Sequence, residues 1–234
     1  MVALLLVAAS CEGEHNDLQY QWDERRILCS LGFDDYLRPL DWSRVEEQLR
    51  FAAMHDSVAL MHAHEPDASV TVETIERLLD LSEHHGLDTV TFGELSPTMT
   101  PRAGIAIAFD DYAVASWYAQ RERLARHRAR VTFFVTFFDS MTMDELAMLR
   151  ELADDGHGIE AHSVAHAGVR EFVRTRGAAA YLSDEALPSI QGLRALGYPV
   201  TSYAYPHGAN VPAVDRELLF TVDRIRVNSR SCPY

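Results

Sequence analysis

The chain has 234 residues, of which 47% are hydrophobic and 24% charged, enough apolar material for one globular domain with a full core. Its 35 acidic against 21 basic residues leave a net charge of −14, which repels phosphate backbones and argues against nucleic acid as a partner. Every Lys/Arg position is arginine, so neither a Schiff-base lysine nor a phosphate-loop lysine is available.

The opening run MVALLLVAASC is apolar, ends in small residues before Cys11, and gives way to polar sequence. It reads as the tail of an export signal, with 1–20 as leader and linker and 21–234 as one domain. The stretch Val7-Ala8-Ala9-Ser10-Cys11 also resembles a bacterial lipobox, which makes Cys11 a candidate lipid anchor; a buried first strand is the alternative reading. The run is too short to span a bilayer. With Cys11 lipidated, Cys29 and Cys232 remain as one candidate disulfide. Strand-like apolar runs follow at 27–31, 57–62, 89–91, 105–110, 131–135, 158–161 and 201–205. Between them, apolar residues at helical spacing predict helices at 42–53, 72–85, 113–127, 143–154 and 183–196. Such alternation predicts an α/β protein with a parallel sheet, and seven strands suggest a barrel.

Three segments carry chemistry. The strand Ile105-Ala106-Ile107-Ala108-Phe109 ends in adjacent carboxylates, Asp110 and Asp111. Successive strand residues point to opposite sides, so the two have different parts to play unless the strand end twists; a helix N-cap is the alternative. Next, His162 and His166 stand four apart, a spacing from which two imidazoles can reach one metal ion. With 11 histidines in the chain, roughly half of one such pair is expected by chance, so their place just after a short strand adds the weight. Last, Ser202-Tyr203-Ala204-Tyr205 breaks into Pro206-His207-Gly208. That turn can offer a backbone N–H to a developing oxyanion, or be a plain β-turn.

In this order the three segments resemble the NodB homology domain of carbohydrate esterase family 4. The matching motifs are Phe109-Asp110-Asp111, the Gly156–His166 stretch and Tyr205-Pro206-His207-Gly208, with Val131-Thr132-Phe133-Phe134-Val135 as the strand between. The resemblance implies a distorted (β/α)7 barrel that removes N-acetyl groups from a cell-envelope or extracellular polysaccharide, exported and monomeric. It implies Zn2+ held by Asp111, His162 and His166, with Asp110 as general base and the Tyr205 backbone N–H at the oxyanion. His62 is the implied proton donor, with His64 in reserve, and Pro206, His207, His64 and Trp42 are implied substrate contacts. Two departures stand out: Tyr112 replaces the glycine usual after the second aspartate, and the third motif lacks its usual arginine, leaving Asp110 without a positioning partner. The motifs usually found last, Asp41-Trp42 and Leu60-Met61-His62, come first here, so the chain resembles the circularly permuted members that act on poly-N-acetylglucosamine. Phe33-Asp34-Asp35 imitates the catalytic tripeptide and reads as part of that displaced motif or as a solvated turn. A glycan-binding barrel without catalysis and a small-molecule amide hydrolase remain as alternatives.

Overall fold

A computed structural model describes residues 17–232. Cys11 and nearly all of the leader expected at 1–20 lie outside the described residues. Nine strands form one sheet: β1 (Gln19–Tyr20), β2 (Ile27–Gly32), β3 (Val58–Ala63), β4 (Asp88–Thr89), β5 (Gly104–Asp111), β6 (Thr132–Val135), β7 (Gly158–Ala161), β8 (Ser202–Ala204) and β9 (Arg224–Asn228). Seven of them are parallel and close a ring that runs β3, β2, β9, β8, β7, β6, β5 and back to β3. The helices are α1 (Trp42–His55), α2 (Val72–His84), α3 (Val114–Tyr118), α4 (Arg121–Arg126), α5 (Met143–Asp154), α6 (Val169–Arg176), α7 (Ala178–Tyr181), α8 (Leu187–Ala195) and α9 (Pro212–Leu218).

Strand alternation sorts side chains into two cores. Outward residues such as Ile105, Ile107, Phe109, Phe133 and Ile225 join the large cluster under the helices. Inward residues make a second cluster in which small side chains (Ala106, Ala108, Ala204) sit with Leu28, Leu60 and Phe134, as a narrow ring requires. Continuing that parity to the C-terminal strand ends brings in Ser30, His62, Asp110, His162 and Arg226, all buried. The barrel interior therefore turns from apolar to ionisable toward one end, where barrels of this kind place their chemistry.

The elements end for local reasons. Asp41 caps α1 by accepting the N–H groups of Ser43 and Arg44 at 3.1 and 3.3 Å. At α5, Thr142 and Glu145 form a reciprocal capping box. The helix expected at 113–127 is divided into α3 and α4, because Gln120 N–H bonds the Trp117 carbonyl at 2.9 Å in a tightened turn. At the start of the stretch expected at 183–196, residues Leu182–Ala186 are wound as a π-turn. Pro188 has no N–H to return to the preceding turn, and Leu187 bonds back to Leu182 instead.

Two boundaries are corrected. The strand expected at 89–91 is instead Asp88–Thr89, followed by one further bond from the Val90 N–H to the Ile105 carbonyl at 2.9 Å, and it flanks β5 outside the ring. Thr91 turns the chain there, its N–H and hydroxyl both bonded to Glu94. The seventh ring strand is β9. The domain also begins before residue 21, since β1 pairs antiparallel with β3 and Leu18, Gln19 and Tyr20 are buried. Cys29 on β2 is bonded to Cys232 beyond β9, with Cα atoms 5.7 Å apart across 203 residues of chain.

One buried histidine makes the fold acid-sensitive. His157 accepts the Val131 N–H at Nδ1 (3.1 Å), and burial pushes its pKa down to about 4. Its folded pKa lies below the unfolded value, so its stabilisation is present above pH ~6.5 and lost as pH falls toward 4; the shift corresponds to about 3 kcal/mol. Urea midpoints measured from pH 7 to pH 4 are expected to fall accordingly, and to fall less steeply in His157→Gln.

Candidate active site

Asp110 and Asp111 end β5 and serve different neighbours. Asp110 points inward and is 2% exposed. Its Oδ2 accepts from Nη2 of Arg226, itself 1% exposed on β9 and lying over the Phe134 ring at 5.2 Å. Arg226 pairs in register with Leu28 on one side and Ala204 on the other, and the small Ala204 leaves room for the guanidinium. Burial pushes the Asp110 carboxyl up, but the Arg226 charge together with those of His162, His62 and His64 outweighs this and holds it below the usual range. The other oxygen, Oδ1, is buried without a hydrogen-bond partner.

Asp111 has φ 86°, and this left-handed turn at the strand end swings its carboxylate toward the same barrel mouth. His162 follows β7, and its Nδ1 lies 2.9 Å from the Ala204 carbonyl oxygen. A carbonyl only accepts, so Nδ1 carries the proton and Nε2 is left with a lone pair. The Nε2 atoms of His162 and His166 approach Asp111 Oδ1 at 3.5 and 3.0 Å, yet Oδ1 has no aligned hydrogen bond. One ligand atom from each of the three residues lies within 4.8 Å of the others. An orphaned carboxylate oxygen facing an imidazole lone pair fits an N/O-ligated cation better than a hydrogen-bonded cluster. Positive φ at Asp111, Ser163, His166 and His207 concentrates backbone strain around these groups.

His62 and His64 come from β3 and the residues just after it. β3 pairs with β5, and His62 is in register with Ala108. The His62 ring is buried with Nδ1 2.9 Å from Ser30 Oγ; burial first, then the Arg226 charge, pushes its pKa down to about 3. Asp34 holds His64 with both oxygens, Oδ1 on the backbone N–H (3.0 Å) and Oδ2 on Nδ1 (2.7 Å). Although burial works against it, that carboxylate pushes the His64 pKa up to about 9. Both rings line a cavity of about 850 Å3 that opens beside the Asp111 cluster rather than over it. His207, exposed, stands with its ring 4.7 Å from that of His166.

Several expected roles do not survive the geometry. The Tyr205 N–H is spent on the Arg226 carbonyl at 3.2 Å and its hydroxyl on Asp215 at 2.7 Å, so the residue offers no oxyanion donor. Pro206 is buried at the start of its turn, out of reach of a glycan. Trp42 packs under the guanidinium of Arg77 at 3.9 Å and does not line the cavity. Phe33-Asp34-Asp35 is no solvated turn: Asp34 serves His64, and Asp35 accepts from the backbone and hydroxyl of Thr71 at the head of α2, both at 2.8 Å. Asp110 also has a positioning arginine, Arg226 on β9, in place of the one missing from the third motif. The only sign of Arg226 in the sequence is the alternation Arg224-Ile225-Arg226-Val227, which an exposed strand would share.

The closed seven-strand ring, with ionisable groups gathered at the C-terminal strand ends, defines an α/β-barrel protein of the enzyme type. The polysaccharide deacetylase profile matches residues 98–220, more than half of the chain, and the chain belongs to that family. Hydrolytic deacetylation of polysaccharide is the activity of that family. Among solved structures, IcaB from Ammonifex degensii matches with a TM-score of 0.58 at 17% identity, over 73% of this chain and 83% of that one. The BpsB deacetylase domain from Bordetella bronchiseptica matches with a TM-score of 0.49 at 17% identity, over 65% and 83%. PplD from Streptococcus pyogenes matches with 0.46 at 14% identity, over 88% and 93%. No curated protein matches the sequence.

Proposed function

We propose that this chain is a zinc-dependent hydrolase that removes N-acetyl groups from an N-acetylglucosamine-containing polysaccharide outside the cytoplasm. The observation that carries the reading is the juxtaposition of the Asp111, His162 and His166 donor set with the uncommitted Oδ1 of Asp110. Two imidazoles and one carboxylate suit zinc with open positions, and a cation held by them would supply Lewis acidity toward water and an amide carbonyl. Asp110 takes the proton from the attacking water at Oδ1, while Arg226 on Oδ2 fixes the carboxylate and keeps it ionised at rest. The Cys29–Cys232 bond supports an oxidising compartment, and hence export.

Protonation of the departing amine falls to His64 rather than His62. At neutral pH His64 is the cation, oriented by Asp34, whereas burial and Arg226 keep His62 neutral. Acetate release from N-acetylglucosamine oligomers, before and after metal removal and zinc addition, tests the overall reading; a metal-independent or absent release overturns it. His64→Gln is expected to lower amide turnover about 100-fold. On an aryl acetate, whose phenolate leaves unprotonated, the same variant should match the parent. A larger loss in His62→Gln than in His64→Gln would reverse the assignment.

A further inference from the structure

We infer that the cavity beside the donor cluster is a subsite for an acidic sugar, so that the acetamido unit is flanked in the glycan by a unit bearing a carboxylate or phosphate. The inference rests on the deacetylase reading of the neighbouring site. The cavity is about 850 Å3, within the range of roughly 300–1,000 Å3 that ligand clefts occupy. Arg38, Arg44 and Arg230 line it, from the segments that follow β2 and β9. Among the described residues, none of the three guanidinium groups has an ion pair or side-chain hydrogen bond.

Other arginines of this chain of net charge −14, Arg121, Arg123 and Arg176 among them, pair with carboxylates, so three unpaired guanidinium groups in one cavity wall are a local concentration of available positive charge. The two acidic residues in the cavity wall are committed elsewhere. Asp34 is bound to His64 through both oxygens, and Asp41 caps α1. What remains is a surplus of planar donors suited to carboxylate or phosphate oxygens. Beside them Tyr36, 65% exposed, offers an aromatic face for a sugar ring.

The cavity adjoins the reacting groups. Asn228, in its wall, donates to the His207 carbonyl at 3.2 Å, and the His207 ring abuts His166. A glycan unit in the cavity is thus close to one at Asp111. The same surplus of positive charge disfavours a neighbouring unit that already carries a free amine.

The test compares acetate release from neutral N-acetylglucosamine oligomers, oligomers alternating N-acetylglucosamine with glucuronate, and oligomers bearing 6-phosphate. One acidic substrate is expected to exceed the neutral one at least about 10-fold in kcat/KM, mainly through KM, with the advantage shrinking in ~0.5 M salt. The better of the two acidic substrates identifies carboxylate or phosphate as the recognised group. The combined variant R38Q/R44Q/R230Q should lose this preference while keeping neutral-oligomer turnover within about two-fold. Equal kcat/KM for neutral and acidic oligomers, or a preference that survives the triple substitution, overturns the inference. Calorimetric binding of an oligouronate that has no acetamido group separates the two readings. If no glycan releases acetate, the deacetylase reading fails, and oligouronate binding by the parent but not by the triple variant still decides for or against the subsite.

Discussion

Asp110→Asn is expected to retain its metal and its fold and to lose about 1,000-fold in turnover. The amide has the same shape and can still meet Arg226, though only through its oxygen. What it lacks is a basic oxygen at the Oδ1 position, which is buried and unpartnered in the parent. Metal content by mass spectrometry together with acetate release checks both halves. If Asp110→Asn lost its metal and Asp111→Asn kept it, the parts given to the two aspartates would be interchanged.

Arg226→Met is expected to be the more disruptive substitution, because it strips the counter-charge from a buried carboxylate. Breaking a buried ion pair from one side costs about 3–5 kcal/mol, far more than the pair contributes relative to an apolar pair of the same volume. Melting temperature and urea midpoint should both drop, and turnover should fall with them as Asp110 loses its orientation. The double variant Asp110→Asn/Arg226→Met isolates the cause. With no charge left to bury, it should recover much of the stability while remaining inactive. A single Arg226→Met variant as stable as the parent would mean that the pair carries no such energy.

Sequence patterns revealed the elements better than their partners. The first two polar segments were legible because each places its polar residues at or just past the end of an apolar strand, and the structure brings Asp111, His162 and His166 together at one barrel mouth. Arg226 was not legible. An alternating basic and apolar strand has two faces, but its sequence does not say which faces solvent, and here the charged face lines the barrel. Its contact with Asp110 also spans 116 residues, beyond any local pattern. The Tyr205 N–H failed as an oxyanion donor for a related reason: whether a backbone group is free depends on the strand beside it, and β9 had not been recognised. The His64 assignment turns on Asp34, 30 residues away, which the sequence offered only as an echo of the catalytic tripeptide.

The Cys29–Cys232 bond has a topological consequence. It joins the first and last strands of the ring in chain order, so the polypeptide between them is a covalent circle as well as a closed sheet. A protease that cut one exposed loop would open that circle without dividing it, and the product would be a single piece with new ends at the cut. In effect each such nick would make another circular permutant of the barrel, held at the old seam by sulfur in place of peptide. Because β9 and Cys232 are synthesised after every other strand, the circle closes only once the whole ring is available, and a chain halted before residue 232 would be left with an unlinked seam.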